Sequence, residues 1–431
     1  MAKETHVVGL DVGTFGVRAV SLLYAGRGST IPRFLGYVNS PSRGVRKGQI
    51  IHIEEAVAVI GKTLQELEKQ IGTAAKRIHV GITGSHLHSM ASSGVVAIRQ
   101  SEVRAQDLKR VVEAAQAVPV SADREVLHII PQSYTVDGHV DIKDPLGISG
   151  VRLEARVQII TAASHGAQNL MKCINRCGYS VSEIVFSPIA LAYSLLSRDE
   201  LEQGVCVIDI GAGTTEIAMF SGGVLAATSV LPVGGHHITN DLAAGLRTAI
   251  RDAEELKLKL DIDSPHMNEV FSVPELGRDE SRAIPGTKLR QIVYPRLEEI
   301  FSLVSQEIRV LQEAAGLGVR PFTAGVVLTG GTARLKGITK VADDVLKMPT
   351  RVNLQLREGV LDGVPAEVFR QGNPSLSNPT LSNLMLSDNI LVACGLARYD
   401  PHTSMVFNQT KTHVKSDAWF RRVGNWFSDN F

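Results

Sequence analysis

The order of apolar and polar residues predicts strands that alternate with amphipathic helices in the first part of the chain. Near-continuous apolar runs over 6–12 and 17–23 are typical of buried strands, and Gly13 lies in the turn between them. Residues 54–71 repeat apolar side chains at helical spacing, and 78–83 follow as another strand. Strands and helices in alternation predict the α/β class.

Residues 84–162 form a compositional block of their own, which is expected to be a small α/β subdomain inserted into a first lobe. Over 151–159 apolar residues take every odd position and polar residues every even one, which predicts a strand with one face in water. A helix at about 104–117 and strands near Val95 and Ile129 complete the block.

The second half again begins with a strand, over 205–209, and then becomes mainly helical. A long helical pattern over 288–315 contains Pro295, where a break or kink is expected because proline cannot donate the helical hydrogen bond. Residues 261–286 are expected to form a loop or a hairpin. The further predicted elements are helices over 165–177, 188–196, near Thr239, over 252–260 and over 338–346, and a strand over 322–328.

The length of 431 residues and these patterns predict two lobes with an insert. The expected division is 1–83 and 163–198 for the first lobe, 84–162 for the insert, 199–399 for the second lobe with a subdomain at about 240–316, 400–415 for a flexible linker and 416–431 for a terminal helix.

Both lobes begin with the same strand–turn–strand motif. Its residues are Asp11, Gly13 and Thr14 in the first half and Asp209, Gly211, Gly213, Thr214 and Thr215 in the second. Glycine lets a phosphate approach the main chain, consecutive N–H groups form an anion cradle, and the threonine hydroxyl adds a donor. A carboxylate does not face a phosphate directly, so Asp11 and Asp209 are expected to hold Mg²⁺ through water.

Either motif alone could be no more than a tight hairpin, but the pair favours a clamp on a polyphosphate. A third strand ends in Gly330 and Gly331, which suits close packing against a flat nucleoside. The chain has no Gly-x-x-x-x-Gly-Lys-Ser/Thr loop, and its glycine-rich turns join strand to strand. Neither a P-loop fold nor a Rossmann fold is therefore supported.

Composition narrows the class of protein further. A net charge of +1 argues against a nucleic-acid-binding protein. The longest apolar run, 390–397, is far shorter than the roughly 20 residues that a membrane-spanning helix needs. The N-terminus enters a strand pattern without a signal peptide, so a cytoplasmic protein is expected. Cys173 and Cys177 are at helical spacing without further ligands nearby and are expected to be packing residues.

The last residues of the chain predict an amphipathic helix. Its apolar face consists of Trp419, Phe420, Val423, Trp426, Phe427 and Phe431, and Arg421 and Arg422 fall largely on the other face. Such a helix is too short and too polar to cross a bilayer but is suited to lie in the interface. The alternative is a helix docked on the protein's own core, and the polar linker before it favours the membrane.

Together the motifs resemble the actin-like ATPase superfamily, with phosphate loops at 11–14 and 209–215 and an adenosine loop at 329–332. Within it the chain is similar to the FtsA family, the bacterial cell-division actin homologues. The narrower resemblance rests on residues 130–137, 144–155, 232–235, 239–241 and 252–257, and on the aromatic tail. It implies an actin-like two-lobe fold with duplicated ribonuclease H-like cores, an inserted subdomain and a C-terminal amphipathic helix.

The resemblance also implies ATP and Mg²⁺ as cofactors. It places Gly235, Glu254 and Lys257 at the nucleotide and makes Asp209 the candidate catalytic residue. From the residues alone, a solvated helix face is the preferred interpretation of Glu254 and Lys257, and Thr239 could be a helix N-cap.

Two positions differ from the efficient ATPases of the superfamily. Ser187 stands where those relatives carry a Glu or Gln that helps to order the attacking water, and its side chain is shorter. Phe15 replaces the small polar residue usual in the first phosphate loop. Nucleotide binding with slow hydrolysis at most is therefore expected.

The function that the resemblance implies is an ATP-binding protein that polymerises on the inner face of the cytoplasmic membrane, anchors the tubulin-like protein FtsZ and helps to recruit later division proteins. The C-terminal peptide of FtsZ is expected to bind near Arg290 and Arg296, although these could be solvated surface arginines. A sugar kinase is an alternative, because 11–18 also resembles a kinase phosphate loop, and a pilus-assembly actin homologue is another. No motif supplies the general base of a kinase, and both alternatives leave the aromatic tail unexplained.

Overall fold

The computed structural model describes residues 4–25, 31–263, 269–277, 280–317, 322–362 and 390–400. In chain order, the elements up to residue 203 are β1 (Thr5–Val12), β2 (Gly16–Tyr24), β3 (Arg33–Pro41), β4 (Val45–Arg46), β5 (Gln49–Ile50), α1 (Ile53–Ile71), β6 (Ile78–Ile82), β7 (Leu87–Ala97), α2 (Ala105–Gln116), β8 (Arg124–Val136), β9 (His139–Ile142), β10 (Arg152–Ala163), α3 (Ser164–Arg176), β11 (Val181–Phe186), α4 (Ser187–Leu195) and α5 (Arg198–Gln203).

From residue 205 onward, the described elements begin with three consecutive strands and end with a short helix. They are β12 (Val205–Ile210), β13 (Thr215–Ser221), β14 (Val224–Leu231), α6 (Gly235–Leu246), α7 (Ile250–Lys259), β15 (Val270–Pro274), β16 (Ser281–Pro285), α8 (Gly286–Ala314), β17 (Val326–Thr329), a 3-10 turn (Gly331–Arg334), α9 (Ile338–Leu346), β18 (Thr350–Val352) and α10 (Leu391–Arg398).

Two five-stranded sheets have the same strand order and directions. The first is β3-β2-β1-β6-β11 and the second is β14-β13-β12-β17-β18. In each, three consecutive strands form an antiparallel meander and two later strands add in parallel. The duplicated cores that the repeated hairpin motif suggested are confirmed, and each hairpin lies at the centre of its sheet.

The block 84–162 folds as a four-stranded antiparallel sheet of order β7-β10-β8-β9, with α2 packed on it. The alternation over 151–159 holds only in part. The apolar side chains from Leu153 onward are buried, but Val151 lies before the strand and is 73% exposed. Gln158 was expected to face water and is 4% exposed, because the second lobe covers this end of β10.

Of the break or kink expected at Pro295, the break is wrong, because the 29-residue helix α8 runs through this residue. Proline removes one hydrogen bond and costs about 3 kcal/mol in a helix interior. Apolar side chains on both sides of it, including Val293 and Leu297, are fully buried in one core, and their packing outweighs that cost. The region 261–286 contains the β15–β16 hairpin, one of the two expected forms.

The last helix in the described residues packs on the first lobe. Helix α10 packs on α4 and on β1, β2 and β6, although the sequence-based division placed residues up to 399 in the second lobe. The approach is close, since a Cβ on Gly395 would lie 1.8 Å from the carbonyl oxygen of Ala190. An apolar run can be buried against either lobe, so the sequence pattern of 390–397 did not indicate on which lobe α10 packs.

Within the described ranges, no helix is both long enough and apolar enough to span a membrane. The predicted amphipathic helix at 416–431 and the linker at 400–415, apart from Asp400, lie outside the described residues.

Candidate functional site

The two repeated hairpins, β1–β2 and β12–β13, face each other across a cleft between the lobes. The cleft has a volume of about 190 Å³, far more than the roughly 15 Å³ that one water needs. The predicted nucleotide-binding residues that line it are Asp11, Gly13, Thr14, Asp209, Gly211, Gly213, Thr214, Glu254, Lys257, Gly330 and Gly331. Of the predicted set, Thr215 and Gly235 are not in its lining.

The first loop is braced from within its own lobe. Asp11 lies opposite Arg18 in the hairpin register, and the Arg18 Nη1 to Asp11 Oδ2 distance is 2.9 Å. The Thr14 hydroxyl oxygen accepts a hydrogen bond from the main-chain N–H of Gly48 (3.1 Å). Phe15, at the tip of the turn, is 57% exposed and lies at the cleft.

The second loop is closed by hydrogen bonds to its own turn and to neighbouring segments. The N–H of Gly211 donates to the carbonyl of Thr214 (2.9 Å), and the hydroxyl of Thr332 donates to the carbonyl of Gly211 (3.0 Å). The Thr215 hydroxyl donates to the carbonyl of Val233 (2.8 Å) and is buried, so it supports the loop from behind.

Gly330 lets the third loop meet the second. Its φ of +87° lies in the left-handed region, and a Cβ on it would lie 2.1 Å from Asp209 Oδ1. Only glycine is therefore compatible with this contact. Asp209 therefore lies at the point where the loops that follow β12 and β17 both reach the cleft.

Glu216 is a cleft residue that sequence reasoning missed. It lies opposite Asp209 in the hairpin register and is 6% exposed. The hydroxyl of Thr83, from the first lobe, donates to Glu216 Oε1, while none of the described residues hydrogen-bonds Oε2. Burial, and then the nearby carboxylates of Asp209 and Asp11, raise the pKa of Glu216 well above its usual value. The signal was available, because the register that pairs Asp11 with Arg18 pairs Asp209 with Glu216.

Lys257 is buried at the base of the cleft and does not belong to a solvated helix face. It is 5% exposed, and its Nζ donates to Glu254 Oε2 (2.6 Å) and Thr239 Oγ1 (3.0 Å). Burial lowers the pKa of Lys257. The N-cap alternative for Thr239 is also wrong, because α6 begins at Gly235 and the Thr239 hydroxyl donates to the Gly235 carbonyl (3.0 Å).

Ser187 opens α4 and lies in the lining of the cleft, at the position expected for a water-ordering side chain. It is 4% exposed, and its hydroxyl donates to the main-chain carbonyl of Ile82 (3.2 Å). The single hydroxyl hydrogen of Ser187 is therefore already donated to the main chain.

No group of three or more His, Cys, Asp or Glu side chains is arranged to hold a metal ion in the described part of the chain. Asp11 and Asp209 both line the cleft, which is compatible with a cation held through water, and their role as Mg²⁺ residues stays a prediction.

The predicted partner-binding arginines lie on α8. Arg296 makes a two-point contact with Asp241 (Nε–Oδ2 2.6 Å and Nη2–Oδ1 3.1 Å) and also pairs with Glu299. Arg290 stacks on the ring of Tyr294, with the guanidinium 5.4 Å from the ring centre. The predicted membrane residues from Trp419 to Phe431 lie outside the described residues.

Two family models match the chain. One, described as an SHS2 domain inserted in FtsA, matches residues 84–161, and the other, described as cell division protein FtsA, matches residues 206–382. Among curated relatives, the cell division protein FtsA of Pseudomonas aeruginosa is 39% identical over 85% of this chain and 87% of the relative. The FtsA of Escherichia coli K12 is 35% identical over 100% of both chains, and that of Bacillus subtilis is 35% identical over 84% and 81%.

Solved structures share the fold. A PilM–PilN type IV pilus biogenesis complex matches with a TM-score of 0.62 at 18% identity, covering 91% of this chain and 97% of that chain. MreB5 of Spiroplasma citri bound to ADP matches with a TM-score of 0.50 at 16% identity, covering 82% and 92%. The expected actin-like α/β fold is thus confirmed, while identities this low show the fold alone.

Proposed function

This chain belongs to the FtsA family of cell division proteins, and from that premise we propose that it binds ATP between its lobes and anchors the FtsZ polymer to the inner face of the cytoplasmic membrane. In this proposal it also assembles into filaments on the membrane and helps to recruit later division proteins. The membership speaks against the alternatives of a sugar kinase and a pilus-assembly protein.

The observation that carries the nucleotide proposal is the convergence of three glycine-containing loops on one cleft. The loops after β1 and β12, the central strands of the two sheets, and the loop after β17, the neighbour of β12, all line the cleft. Main-chain N–H groups in such turns are suited to bind phosphate oxygens. The fold neighbour MreB5 is bound to ADP in its solved structure, which supports a nucleotide as the ligand.

Slow turnover follows from the groups available to order water. The Ser187 hydroxyl stands where efficient relatives carry a longer water-ordering side chain, and it already donates to the carbonyl of Ile82. Bound ATP and Mg²⁺ would supply the electrophilic phosphate and its charge neutralisation. This chain's own residues would orient the phosphates and hold the lobes closed.

The membrane proposal rests on the terminal segment. Six apolar residues on one face of the predicted helix would bury their side-chain surface in the membrane–water interface. Arg421 and Arg422 would favour anionic headgroups. One such helix is a weak anchor, since burial of each large side chain gives only about 1.5–3 kcal/mol before the cost of ordering the helix. Attachment of many copies through a polymer would make the anchor strong.

Vesicle co-sedimentation tests this function directly. The full chain and a chain ending at Lys415 are compared on anionic vesicles, with and without ATP and FtsZ. We expect only the full chain to bring FtsZ to the vesicles, and Trp426→Glu to release it, because a carboxylate would enter the acyl boundary at a desolvation cost of about 1–3 kcal/mol or more.

The charge of the tail provides the matched control. Arg421→Glu with Arg422→Glu should weaken binding to anionic vesicles and leave binding to neutral ones unchanged. Co-sedimentation of FtsZ by the shortened chain would show that the tail is not the anchor. Vesicle binding by Trp426→Glu with loss of ATP binding would show that the tail is a core helix.

A further inference from the structure

We infer that the inserted subdomain is docked on the second lobe as well as tethered to the first, and that this docking couples its position to the opening of the cleft. The chain enters the insert after β6 and leaves it at the end of β10, so both covalent connections are to the first lobe. The part that the nucleotide plays in this coupling rests on the proposed function.

The first contact covers the edge of the second sheet. Strand β14 is the outermost strand there, and such an edge exposes carbonyl groups without a neighbouring strand. Ser89 Oγ of β7 donates to the carbonyl of Thr228 (2.6 Å), and Gln132 Nε2 of β8 donates to the carbonyl of Leu225 (2.8 Å). Two strands of the insert thus supply side-chain donors to β14.

The second contact is made at the C-terminal end of α8. The Arg156 guanidinium of β10 donates to the carbonyl of Ala315, the residue that follows the last turn of α8. The C-terminal end of a helix carries partial negative charge, so a cation there is favourable. An exposed ion pair between Lys143 and Glu202 adds a third, weaker contact between the insert and the second lobe.

One strand, β13, separates the contacts on β14 from the candidate nucleotide site. Strand β14 pairs with β13, which carries Glu216, and Thr83 binds Glu216 from the first lobe just before the insert begins. Lobes that close around a ligand rotate relative to one another. The insert is held by both lobes, so it must then move with β14 or lose its hydrogen bonds to it. Because coupling between sites is reciprocal, releasing the insert must also change nucleotide affinity.

Hydrogen exchange and ATP affinity, measured on the full chain, test the coupling. The variant Ser89→Ala with Gln132→Ala removes the hydrogen bonds to the carbonyls of Thr228 and Leu225 in β14. Ser92→Ala is the matched control, since Ser92 is on the same strand but donates to Ala115 inside the insert (2.7 Å). Arg156→Ala breaks the separate contact with α8 and is an independent variant should the double variant not fold.

In the unsubstituted chain we expect ATP to change exchange in both β14 and β7. In the double variant this response should be lost and the Kd for ATP should shift by about fivefold or more, with Ser92→Ala unchanged. ATP binding without any response of the insert, or the same Kd in all variants, would overturn the coupling. Absence of ATP binding by the unsubstituted chain would instead refute the proposed function.

Discussion

At the scale of single residues, Tyr399 lies near the end of the described chain and contacts both the first lobe and the insert. Its ring lies edge-on to His79 of β6, His128 of β8 and Tyr193 of α4, with centroids 6.1–6.3 Å apart. The N–H of Phe186 donates to His128 Nε2 (3.0 Å), which requires that nitrogen to be unprotonated. Burial lowers the pKa of His79 and of His128 to about 4.

The lowered pKa values of His79 and His128 predict that the folded protein loses stability in mild acid. The folded-state pKa of His128 is below its usual value of 6.5, so its contribution is fully present above pH 6.5 and is lost as pH falls toward 4. The loss for His128 is about 3 kcal/mol at pH 4. His128→Gln should remove it, since an amide oxygen can still accept from Phe186.

Denaturant unfolding at a series of pH values between 7 and 4 measures this effect. His139→Gln on β9 is the control, because that side chain is exposed. A free energy of unfolding that falls equally in the unsubstituted chain and in His128→Gln would contradict the assignment.

At the scale of elements, α8 presents the predicted site for the FtsZ peptide. Arg296 and Arg290 lie toward its first half, and Arg296 is shared between Asp241 and Glu299. An acidic peptide would compete for this guanidinium. We expect Arg296→Glu to weaken binding of the FtsZ C-terminal peptide by tenfold or more, about 1.4 kcal/mol, because a charge-assisted bond becomes a repulsion.

Fluorescence anisotropy of the labelled peptide measures that affinity. Arg309→Glu changes an exposed arginine of the same helix and should leave it unchanged. Thermal unfolding of both variants checks that they are folded. This check is needed because Arg296→Glu also places a glutamate next to Asp241. Peptide affinity that survives Arg296→Glu would place the partner elsewhere.

Elements whose pattern is local were predicted well, and those that depend on distant contacts were not. The hairpins at Asp11 and Asp209 could be recognised because strand, aspartate and glycine follow one another in the sequence. The burial of Gln158 and the return of α10 to the first lobe depend on surfaces that are distant in the sequence. Lys257 gave no sign of burial, because its partners Thr239 and Glu254 come together only when α6 and α7 pack.

At the scale of the whole molecule, the repeated sheet explains both the cleft and its asymmetry. The same hairpin register delivers Asp11 with Arg18 from one lobe and Asp209 with Glu216 from the other. One side of the cleft therefore holds a carboxylate paired with an arginine, and the other holds two acidic side chains, of which Glu216 has a raised pKa. We expect a ligand that brings negative phosphate to this cleft to need the glycine-rich turns and a cation.

ATP binding by calorimetry, with and without Mg²⁺, tests the nucleotide site most directly. The unsubstituted chain should bind ATP, while Asp209→Ala removes a carboxylate that is predicted to hold Mg²⁺ and Gly211→Asp would place a negative charge against the expected phosphate. Asp263→Ala is the control, because Asp263 pairs with Lys340 outside the cleft. We expect loss of ATP binding in both cleft variants and retention in the control. Equal affinity in all four proteins would contradict a nucleotide site between the lobes.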